Sequence, residues 1–492
     1  MTKIISDIKF IPRPPIVTIL GHVDHGKTTL LDSIRKTDVA VKEHGGITQH
    51  IGAYQISISS PSPKNKNIQK ITFIDTPGHE AFAKMRARGA DICDIAILVV
   101  AGNDGVMPQT LESINCIKKA KIPLIIAVNK IDLPDISLDK IKKQLSKTGL
   151  TLEEYGGETP LIALSAKTGL GIDKLLNTIL LLSDLYQIHD ATPDILNGVV
   201  IESKLSKNKG PIATLIIKSG NLKIGDDVIC ENQSFRIRAL FDWNEASIEK
   251  AKPSDPVEVM GWKKLPLVGS ILKQKNQSEQ IQPSKINSNT GQQKALTNTD
   301  NAVEEEKIKL IIKADTAGSL EAIMSGLKND IQIISATVGN ISESDILLAK
   351  TTKSIVIGFN LNISENIFKL ARSEKVLIKT FKIIYELFDE VGEVVKALKQ
   401  GNLVTVLGEA KVTTVFPIKK DLIAGIKVIS GRIARGDQIK VMRGSQEICR
   451  ARIKSLRHHK EDITKAEQGM EAGVFLSQKV EFLTDDSIIS IG

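Results

Sequence analysis

The segment at residues 21–28 constrains the fold of this chain more than any other feature. It reads Gly-His-Val-Asp-His-Gly-Lys-Thr, follows an apolar run at residues 16–20 and precedes a helix-like stretch at residues 28–34. A strand, a glycine-containing loop and a helix start in this order form a phosphate-binding P-loop. Gly21 and Gly26 allow backbone N–H groups to turn toward phosphate oxygens, and the helix N-terminus adds partial positive charge.

The side chains of this loop predict the parts of a nucleotide site. We expect Lys27 to reach the β- and γ-phosphates and Thr28 to coordinate Mg²⁺. His22 and His25 are expected to support the loop rather than take part in the chemistry, and the loop alone leaves ATP and GTP undecided. The residues of this segment expected to bind nucleotide are Gly21, His22, Val23, Asp24, His25, Gly26, Lys27, Thr28 and Thr29.

A second motif, Asp-Thr-Pro-Gly-His at residues 75–79, ends another apolar strand. Its aspartate stands where a Walker-B acid meets the metal. The glycine allows the chain to move in response to a γ-phosphate, and His79 is the predicted catalytic residue, which orients the attacking water. The predicted nucleotide contacts here are Asp75, Thr76, Pro77 and Gly78, and the predicted metal ligands are Thr28, Thr48 and Asp75.

A third motif, Asn-Lys-Ile-Asp at residues 129–132, predicts recognition of guanine. A carboxylate at Asp132 can accept hydrogen bonds from N1–H and the 2-amino group of guanine, whereas adenine lacks that amino group and would leave the carboxylate unpaired. The residues expected around the base are Asn129, Lys130, Asp132, Ser165, Ala166 and Lys167. The alternative, ordinary Gly- and Asp-rich turns of an α/β domain, is disfavoured by the order of the motifs and by their positions after strands.

Length and composition limit the remaining possibilities. At 492 residues the chain is too long for one core and predicts three to five domains. The 66 Lys and Arg against 57 Asp and Glu give a net charge of +9, which suits a polyanionic partner. The four cysteines are far apart and form no C-x-x-C pair, which favours a reducing compartment over a zinc site.

No targeting or membrane segment is expected from the sequence. No apolar stretch reaches the ~18 residues of a membrane span, and the first 13 residues lack the features of a signal or transit peptide. We therefore expect a protein without membrane contact that acts where it is made. That place is the cytoplasm of a bacterium or endosymbiont, or the plastid stroma if the gene is organelle-encoded.

The fold class predicted from the changing pattern of apolar residues is multidomain α/β and β. Strands alternate with helices first, short glycine-broken strands follow, and a polar segment precedes a second α/β region. The predicted order is a P-loop GTPase domain at 14–185, a β-barrel at 193–273, a flexible linker at 274–306, an α/β sandwich at 307–380, a long connecting helix at 381–401 and a C-terminal β-barrel at 402–492.

The last predicted barrel carries a run of positive charge. Between residues 427 and 460 there are ten Lys and Arg but only two acidic residues. Alternating strands could place several of these cations near nucleic-acid phosphates. The alternative is a solvated basic surface. The adjacent His458 and His459 are not spaced as a metal-binding pair.

The motifs together closely resemble bacterial-type translation initiation factor two. The resemblance rests on residues 21–28, 45–53 (Gly-Gly-Ile-Thr-Gln-His-Ile-Gly-Ala), 75–82, 341–345 (Ile-Ser-Glu-Ser-Asp) and 357–360 (Ile-Gly-Phe-Asn). It implies a monomeric, ribosome-stimulated GTPase that uses GTP/GDP and Mg²⁺ and joins the 30S and 50S type ribosomal subunits. It also implies that the last barrel holds the formylmethionyl end of initiator tRNA, through Arg452, Arg457, His458, His459, Lys460, Glu471 and Gly473.

The chain departs from this family at two places. Only 13 residues precede the first predicted domain, where family members usually carry a long extension, so we expect the core to grip the small subunit. In the last barrel, Ile426 and Ala472 replace cysteines of the family pattern, and Leu456-Arg457-His458-His459 stands where the family has Leu-Lys-Arg followed by an aromatic residue. We therefore expect a changed preference for the formyl group.

Three alternative functions differ in what they would require of the chain. A ribosome-assembly or other ribosome-associated GTPase without tRNA binding would not need two barrels flanking an α/β region. An elongation factor would place both barrels directly after the nucleotide domain. A tRNA carrier without hydrolysis would be expected to lose Thr48 or His79, and both are present.

Overall fold

The computed structural model describes residues 11–36, 48–59, 68–190, 192–275, 307–327, 330–399, 406–418, 421–443, 446–458, 461–478, 480 and 482–491. The chain divides into two compact units, Met1–Glu390 and Val391–Gly492. Within the described ranges, no helix is both long enough and apolar enough to cross a membrane. Most of the predicted linker, from residue 276 to 306, lies outside the described residues.

The larger unit begins with a six-stranded sheet in which five strands are parallel and one edge strand is antiparallel. Alternate residues of the strand Ile95–Ala101 enter two different apolar clusters, so both faces of the sheet are covered. The strands in spatial order are Gly52–Ser59, Ile68–Asp75, Ile16–Gly21, Ile95–Ala101, Leu124–Asn129 and Leu161–Ala163.

Five α-helices and two 3₁₀ turns accompany this sheet in the described residues. The helices are Lys27–Arg35, Ala83–Ile92, Pro108–Ala120, Leu138–Lys147 and Ile172–Leu185, and the 3₁₀ turns are Glu80–Phe82 and Glu153–Tyr155. Because parallel strands end at the same edge, the loops after Gly21, Asp75 and Asn129 come together there. The three predicted motifs thus share one edge of the sheet.

An antiparallel barrel follows the nucleotide domain, as predicted, and packs around one apolar cluster. Its eight-stranded sheet has the spatial order Gln233–Arg236, Asp227–Cys230, Ile271–Gln274, Asn197–Ser206, Gly210–Ser219, Pro256–Met260, Ala239–Phe241 and Ser247–Ile248. Two further strand pairs are Leu222–Lys223 with Lys250–Ala251 and Ile11–Pro12 with His189–Asp190. The strand Ile271–Gln274 is the last of this sheet in chain order, and it ends one residue past the predicted domain boundary at 273.

The second α/β region contains a four-stranded parallel sheet. Its strands in spatial order are Ile331–Val338, Ile308–Ala314, Ile355–Phe359 and Ile378–Phe381, and its helices are Ala317–Gly326, Glu343–Thr352 and Glu365–Ser373. The next helix, Ile384–Lys399, is called the connecting helix below, and it begins in the first unit and continues into the second. Of the apolar residues whose helical spacing predicts this helix, Ile384, Leu387, Val391 and Val395 are buried and Val394 is half-buried.

The second unit contains a closed six-stranded antiparallel barrel. Its strands in spatial order are Val406–Ile418, Ser487–Ile491, Gln438–Arg443, Gln446–His458, Glu471–Leu476 and Asp421–Ala434, with the short strands Glu461–Asp462 and Lys465–Glu467 at its margin. Pairing of the first strand with the last closes the barrel around an apolar core. The predicted fold class is therefore confirmed, while the predicted domain boundaries stay predictions.

Candidate functional site

The P-loop is held in place by the motif that follows the strand Leu124–Asn129, two positions away in the sheet. Gly26 adopts φ +84°, and a Cβ atom there would lie 2.4 Å from Asn129 Nδ2. Glycine therefore permits the Asn129 amide to approach the loop and donate to the His25 carbonyl at 2.9 Å. Asn129 Oδ1 also accepts from the Lys130 and Ala166 N–H groups at 2.7 and 2.9 Å. One side chain thus joins three loops of the site.

His25 supports the loop from inside the fold. Its side chain is fully buried, and Nδ1 lies 3.3 Å from the Val99 carbonyl oxygen. Burial lowers its pKa to about 4, so the imidazole is neutral at physiological pH. The neighbouring His22 packs edge-on against it, with 5.1 Å between ring centroids. This arrangement agrees with the supporting role predicted for both histidines.

Lys27 is a buried cation in the P-loop. Its ammonium donates to the Gly21 and His22 carbonyls at 3.0 and 2.6 Å. Burial lowers its pKa to about 8, although the charge of Asp75 acts in the opposite direction. A phosphate placed beside this ammonium would therefore meet a desolvated charge, whose attraction is stronger than in water.

Two threonine hydroxyls and one carboxylate meet beside Lys27. Thr28 Oγ1 and Thr48 Oγ1 are 2.8 Å apart, and the Thr48 hydroxyl donates to Asp75 Oδ2 at 3.5 Å. Hydroxyl and carboxylate oxygens are hard donors of the kind Mg²⁺ prefers. The predicted metal ligands, from three separate segments, therefore fit that ion chemically.

The segment after Asp75 brings a glycine and a histidine against the P-loop. A Cβ atom at Gly78 would lie 2.4 Å from Lys27 Nζ, so any larger residue would displace the Lys27 ammonium from its present position. His79 Nδ1 accepts a hydrogen bond from the Ala81 N–H at 2.7 Å. Burial and the nearby Arg86 charge lower the His79 pKa, so the ring is neutral and its proton resides on Nε2. By contrast, Thr76 turns inward and donates to the Ile19 carbonyl at 2.9 Å.

These groups border a cavity of about 220 Å³. Its lining residues are Val23, Asp24, Gly26, Lys27, Thr28, Thr29, Thr48, Gly78, His79, Phe82, Lys130 and Tyr385. The predicted base-binding residues Asp132, Ser165, Ala166 and Lys167 are not part of this lining and belong to the adjoining loops. There the Ser165 hydroxyl donates to Asp132 Oδ1 at 2.7 Å, and this hydrogen bond lowers the Asp132 pKa.

Sequence reasoning missed three residues of this site, Phe82, Arg86 and Tyr385. Arg86 is buried and donates to the carbonyl oxygens of Pro77, Gly78 and His79. Its position in the buried stripe of the helix Ala83–Ile92, one residue after the buried Met85, could have revealed it. Tyr385 lies 4.1 Å from His79 between ring centroids. No local pattern connects His79 with Tyr385, so the sequence held no signal for their contact.

The second unit has its own cavity, of about 710 Å³, on the barrel. Four predicted tRNA-binding residues line it, namely Arg457, His458, Glu471 and Gly473, and the substituted positions Ile426 and Ala472 line it as well. An irregularity in the pairing register between Ile453 and Ser455 interrupts the alternation of side chains between the two faces of this strand. Arg452 lies before it and is exposed, but it is not among the lining residues. His459 and Lys460 lie outside the described residues.

Three family models match consecutive parts of the chain. Elongation factor Tu GTP binding domain matches residues 13–184, Elongation factor G domain 2 matches residues 196–275, and Translation-initiation factor 2 matches residues 285–392. The matches follow the order of the nucleotide domain, the first barrel and the second α/β region.

Curated relatives match nearly the whole chain. Translation initiation factor IF-2 of Caldanaerobacter subterraneus subsp. tengcongensis is 42% identical over 489 residues, which is 95% of this chain and 68% of the relative. The factor of the same name from Dehalococcoides mccartyi is 42% identical over 489 residues, which is 96% of this chain and 81% of the relative. The chain belongs to the translation initiation factor IF-2 family.

A solved structure described as GDP-bound aIF5B from Aeropyrum pernix is also similar. It is 27% identical, with a TM-score of 0.46, and the match covers 98% of this chain and 92% of that chain.

Family membership confirms the predicted activity at its general level. The protein is a translational GTPase that binds guanine nucleotide and acts as a translation initiation factor. Membership also implies that it interacts with the ribosome.

Proposed function

We propose that this protein promotes GTP-dependent binding of initiator formylmethionyl-tRNA to the small (30S type) ribosomal subunit and then joining of the large (50S type) subunit. GTP hydrolysis is stimulated by the assembled ribosome. The observation that carries this proposal is the cavity that brings Lys27, Thr28, Thr48, Gly78 and His79 together.

The P-loop binds the phosphates in this proposal. Its backbone N–H groups and the N-terminus of the helix Lys27–Arg35 face the phosphate oxygens, and the Lys27 ammonium contacts the β- and γ-phosphates. Negative charge shifts toward the β–γ bridging oxygen as its bond to the γ-phosphorus breaks. A fixed, desolvated cation stabilises that charge without reorganisation.

Mg²⁺ would be held by Thr28, Thr48 and Asp75, whose oxygens converge beside the cavity. When bound, the ion would neutralise phosphate charge. Thr48 belongs to a different loop from Thr28. Its participation would therefore connect the position of that loop to the nucleotide.

His79 acts on the attacking water. The ring is neutral, and Nδ1 is engaged by the Ala81 N–H, so Nε2–H is the group that can hold a water oxygen. The water adds its oxygen to the γ-phosphorus, the bond to the β-phosphate oxygen breaks, and the water protons pass to the phosphate product and solvent. His79 therefore orients the nucleophile and does not need to accept its proton.

In this proposal Asp132 selects guanine, and the barrel cavity binds the formylmethionyl end of initiator tRNA. The exposed Asp132 carboxylate, oriented by Ser165, can accept two hydrogen bonds from guanine. The barrel cavity offers a guanidinium, an imidazole and a carboxylate, with hydroxyl groups of Thr413, Thr414 and Ser455 and several apolar side chains beside them, a combination suited to an amino acid carried on tRNA. We propose that the protein works as a monomer. The bacterial relatives favour the cytoplasm as its location over the alternative plastid stroma.

The role of His79 is tested by His79→Ala. Since the imidazole acts on the transition state, GTP affinity should stay within a few-fold while ribosome-stimulated kcat falls by orders of magnitude. The measurement is single-turnover hydrolysis with and without ribosomes, alongside fluorescent GTP titration. Glu80→Ala, at the adjacent exposed position, serves as the control. Normal stimulated turnover in His79→Ala would refute the role.

Formyl selectivity tests the barrel assignment. Because Ile426 and Ala472 border the cavity in place of the family cysteines, the full-length protein should bind formylated and unformylated initiator tRNA with only a few-fold difference. The double substitution Ile426→Cys and Ala472→Cys should widen that difference. The measurement is equilibrium binding of both tRNA forms at fixed salt. Strong selectivity in the unaltered protein would show that these positions are not the readers, and absence of tRNA binding would overturn the assignment.

A further inference from the structure

The start of the connecting helix is bound by a residue next to Thr48. Gln49 Nε2 donates to the Lys382 carbonyl at 2.9 Å, and Gln49 Oε1 accepts from the Ile384 N–H at 3.1 Å. The Gln49 side chain is buried. The nitrogen and the oxygen of the Gln49 amide therefore both bind the backbone at the start of the connecting helix. Because this amide is buried and both of its polar atoms are hydrogen-bonded, it fixes the position of that backbone.

This backbone carries Tyr385 into the nucleotide cavity. Tyr385 follows Ile384 directly and lines the cavity together with the P-loop residue Asp24. Burial and the negative charge of Asp24 raise the Tyr385 pKa, so the phenol keeps its proton. The residue is 37% exposed, so part of its side chain faces solvent.

The ring of Tyr385 meets the imidazole of His79. The ring centroids are 4.1 Å apart and the planes are inclined by 57°. His79 also accepts the Ala81 N–H through Nδ1 and meets the Phe82 ring edge-on, at 6.0 Å between centroids. The imidazole is therefore held by a hydrogen bond at one atom and by contacts with two aromatic rings.

We propose that Tyr385 is a positioning residue for GTP hydrolysis: its ring fixes the orientation of the His79 imidazole in the cavity, and Gln49 fixes Tyr385 by binding the helix start. The inference rests on the proposed role of His79. Its physical basis is that a catalytic group displaced by about 1 Å can lose a factor of 100 in rate. Without the Tyr385 ring, the imidazole would keep its Nδ1 hydrogen bond and the more distant edge contact with Phe82, and it could tilt about that bond.

The kinetic test compares Tyr385→Ala with Tyr385→Phe. Loss of the ring should lower ribosome-stimulated kcat by about 10- to 100-fold, while the Kd for GTP and the KM for ribosomes change by less than about threefold because neither depends on the orientation of His79. Phenylalanine keeps the ring and should restore the rate. Asp389→Ala, one turn further along the helix and exposed, is the matched control. Unchanged or increased kcat in Tyr385→Ala would overturn the proposal.

A spectroscopic test is independent of activity. The His79 imidazole is followed by NMR in protein with ¹³C-labelled histidine, with its signal assigned by its loss in His79→Gln. Since burial lowers the His79 pKa, removal of the covering ring should move the titration upward toward 6.5, whereas Tyr385→Phe should leave it low. An unaltered titration in Tyr385→Ala would show that the ring does not hold the imidazole.

Gln49 provides a third comparison. If it acts through Tyr385, Gln49→Ala should lower kcat, and the double variant Gln49→Ala/Tyr385→Ala should lose no more than the larger single loss. Additive losses would overturn the link between the two residues.

The variant His79→Ala distinguishes this inference from the proposed function. If His79→Ala hydrolyses GTP at the normal ribosome-stimulated rate, the proposed catalytic role of His79 itself is refuted. If His79→Ala is slow while Tyr385→Ala is normal, only the positioning role of Tyr385 is refuted.

Discussion

At the residue scale, Asn129 shows how one amide sets the geometry of a site. It is 2% exposed, and it donates to the P-loop and accepts from two neighbouring loops. A buried amide of this kind stabilises only when its polar atoms are satisfied, so it specifies one relative position of the loops. Asp132, three residues on, is exposed and oriented by Ser165, and this exposure suits a residue that reads a ligand.

The residue-scale prediction is that Asp132→Asn exchanges guanine for xanthine specificity. The carboxylate accepts from the guanine 2-amino group, whereas an amide N–H₂ can donate to the carbonyl that xanthine carries there. GTP affinity should fall by about 100-fold or more, and XTP should bind better than GTP. Competitive titration of both nucleotides measures the change, with Asp135→Asn in the same exposed loop as the control. Undiminished GTP affinity would contradict the assignment.

At the scale of an element, the helix Ala83–Ile92 keeps a charged residue in its buried stripe. Arg86 donates to the Gly78 carbonyl at 3.1 Å and to the Pro77 and His79 carbonyls, and it pairs with Glu112 at 2.8 Å. The three carbonyls belong to the irregular segment between strand and helix, which has no strand ladder to satisfy them, although the His79 carbonyl also accepts the Phe82 N–H at 3.0 Å. For the Pro77 and Gly78 carbonyls, the guanidinium supplies the donors.

We therefore predict that Arg86→Met destabilises the first unit. Methionine keeps the apolar stem but removes the donors, and carbonyls left without partners cost about 1–3 kcal/mol. Urea unfolding followed by circular dichroism measures the loss. Glu112→Gln is the comparison, because it removes the counter-charge of Arg86 but leaves its donors to these carbonyls in place, and the Glu112 side chain is 43% exposed. Equal losses in the two variants would show that the ion pair, rather than the carbonyl contacts, stabilises the segment.

At the scale of the whole molecule, Asp94 connects three parts of the first unit. It precedes a central strand and accepts two hydrogen bonds of 2.7 Å from Arg13, in the segment that enters the nucleotide domain. Arg13 also donates to Ser254 of the first barrel at 3.1 Å, and Lys218 of that barrel lies 3.5 Å from Asp94. The nucleotide domain and the barrel are therefore connected by a shared network of charges.

This network predicts a pH dependence of stability. Burial alone would raise the Asp94 pKa, but the hydrogen bonds from Arg13 and the charge of Lys218 outweigh it and hold the pKa below 3.8. A lowered folded pKa gives stability that is present above the unfolded value of about 3.9 and is lost as pH falls through the folded value. Asp94→Asn should cost about 1–3 kcal/mol at pH 7, since it leaves Arg13 without its counter-charge.

The measurement is urea unfolding of both proteins at pH 7, 5, 4 and 3. The difference between them should be constant from pH 7 to 5 and shrink below pH 4, where the wild-type carboxyl becomes protonated. Asp139→Asn, on an exposed helix start, controls for a general change in charge. A difference that stays constant down to pH 3 would contradict the ionic origin.

The sequence by itself determined the kind of site and most of the elements that hold it. Strand, P-loop and helix are adjacent in the chain, so local propensity and hydrophobic periodicity fix them together. The order of the parallel strands then required their loops to meet at one edge. Lys27, Thr28 and His79 border one cavity for that reason, and Thr48 joins them because it precedes an antiparallel strand whose first residue, Gly52, pairs with Asp75.

Only the tertiary structure decided how these side chains are held. Gln49 contacts Lys382, which is 333 residues away in the sequence, and His79 contacts Tyr385 over a similar sequence separation. Contacts of this kind depend on how separate domains pack, and neither periodicity nor motif spacing encodes that packing. The sequence thus named the chemical groups, while the long-range contacts set their orientations and the pKa values that burial produces.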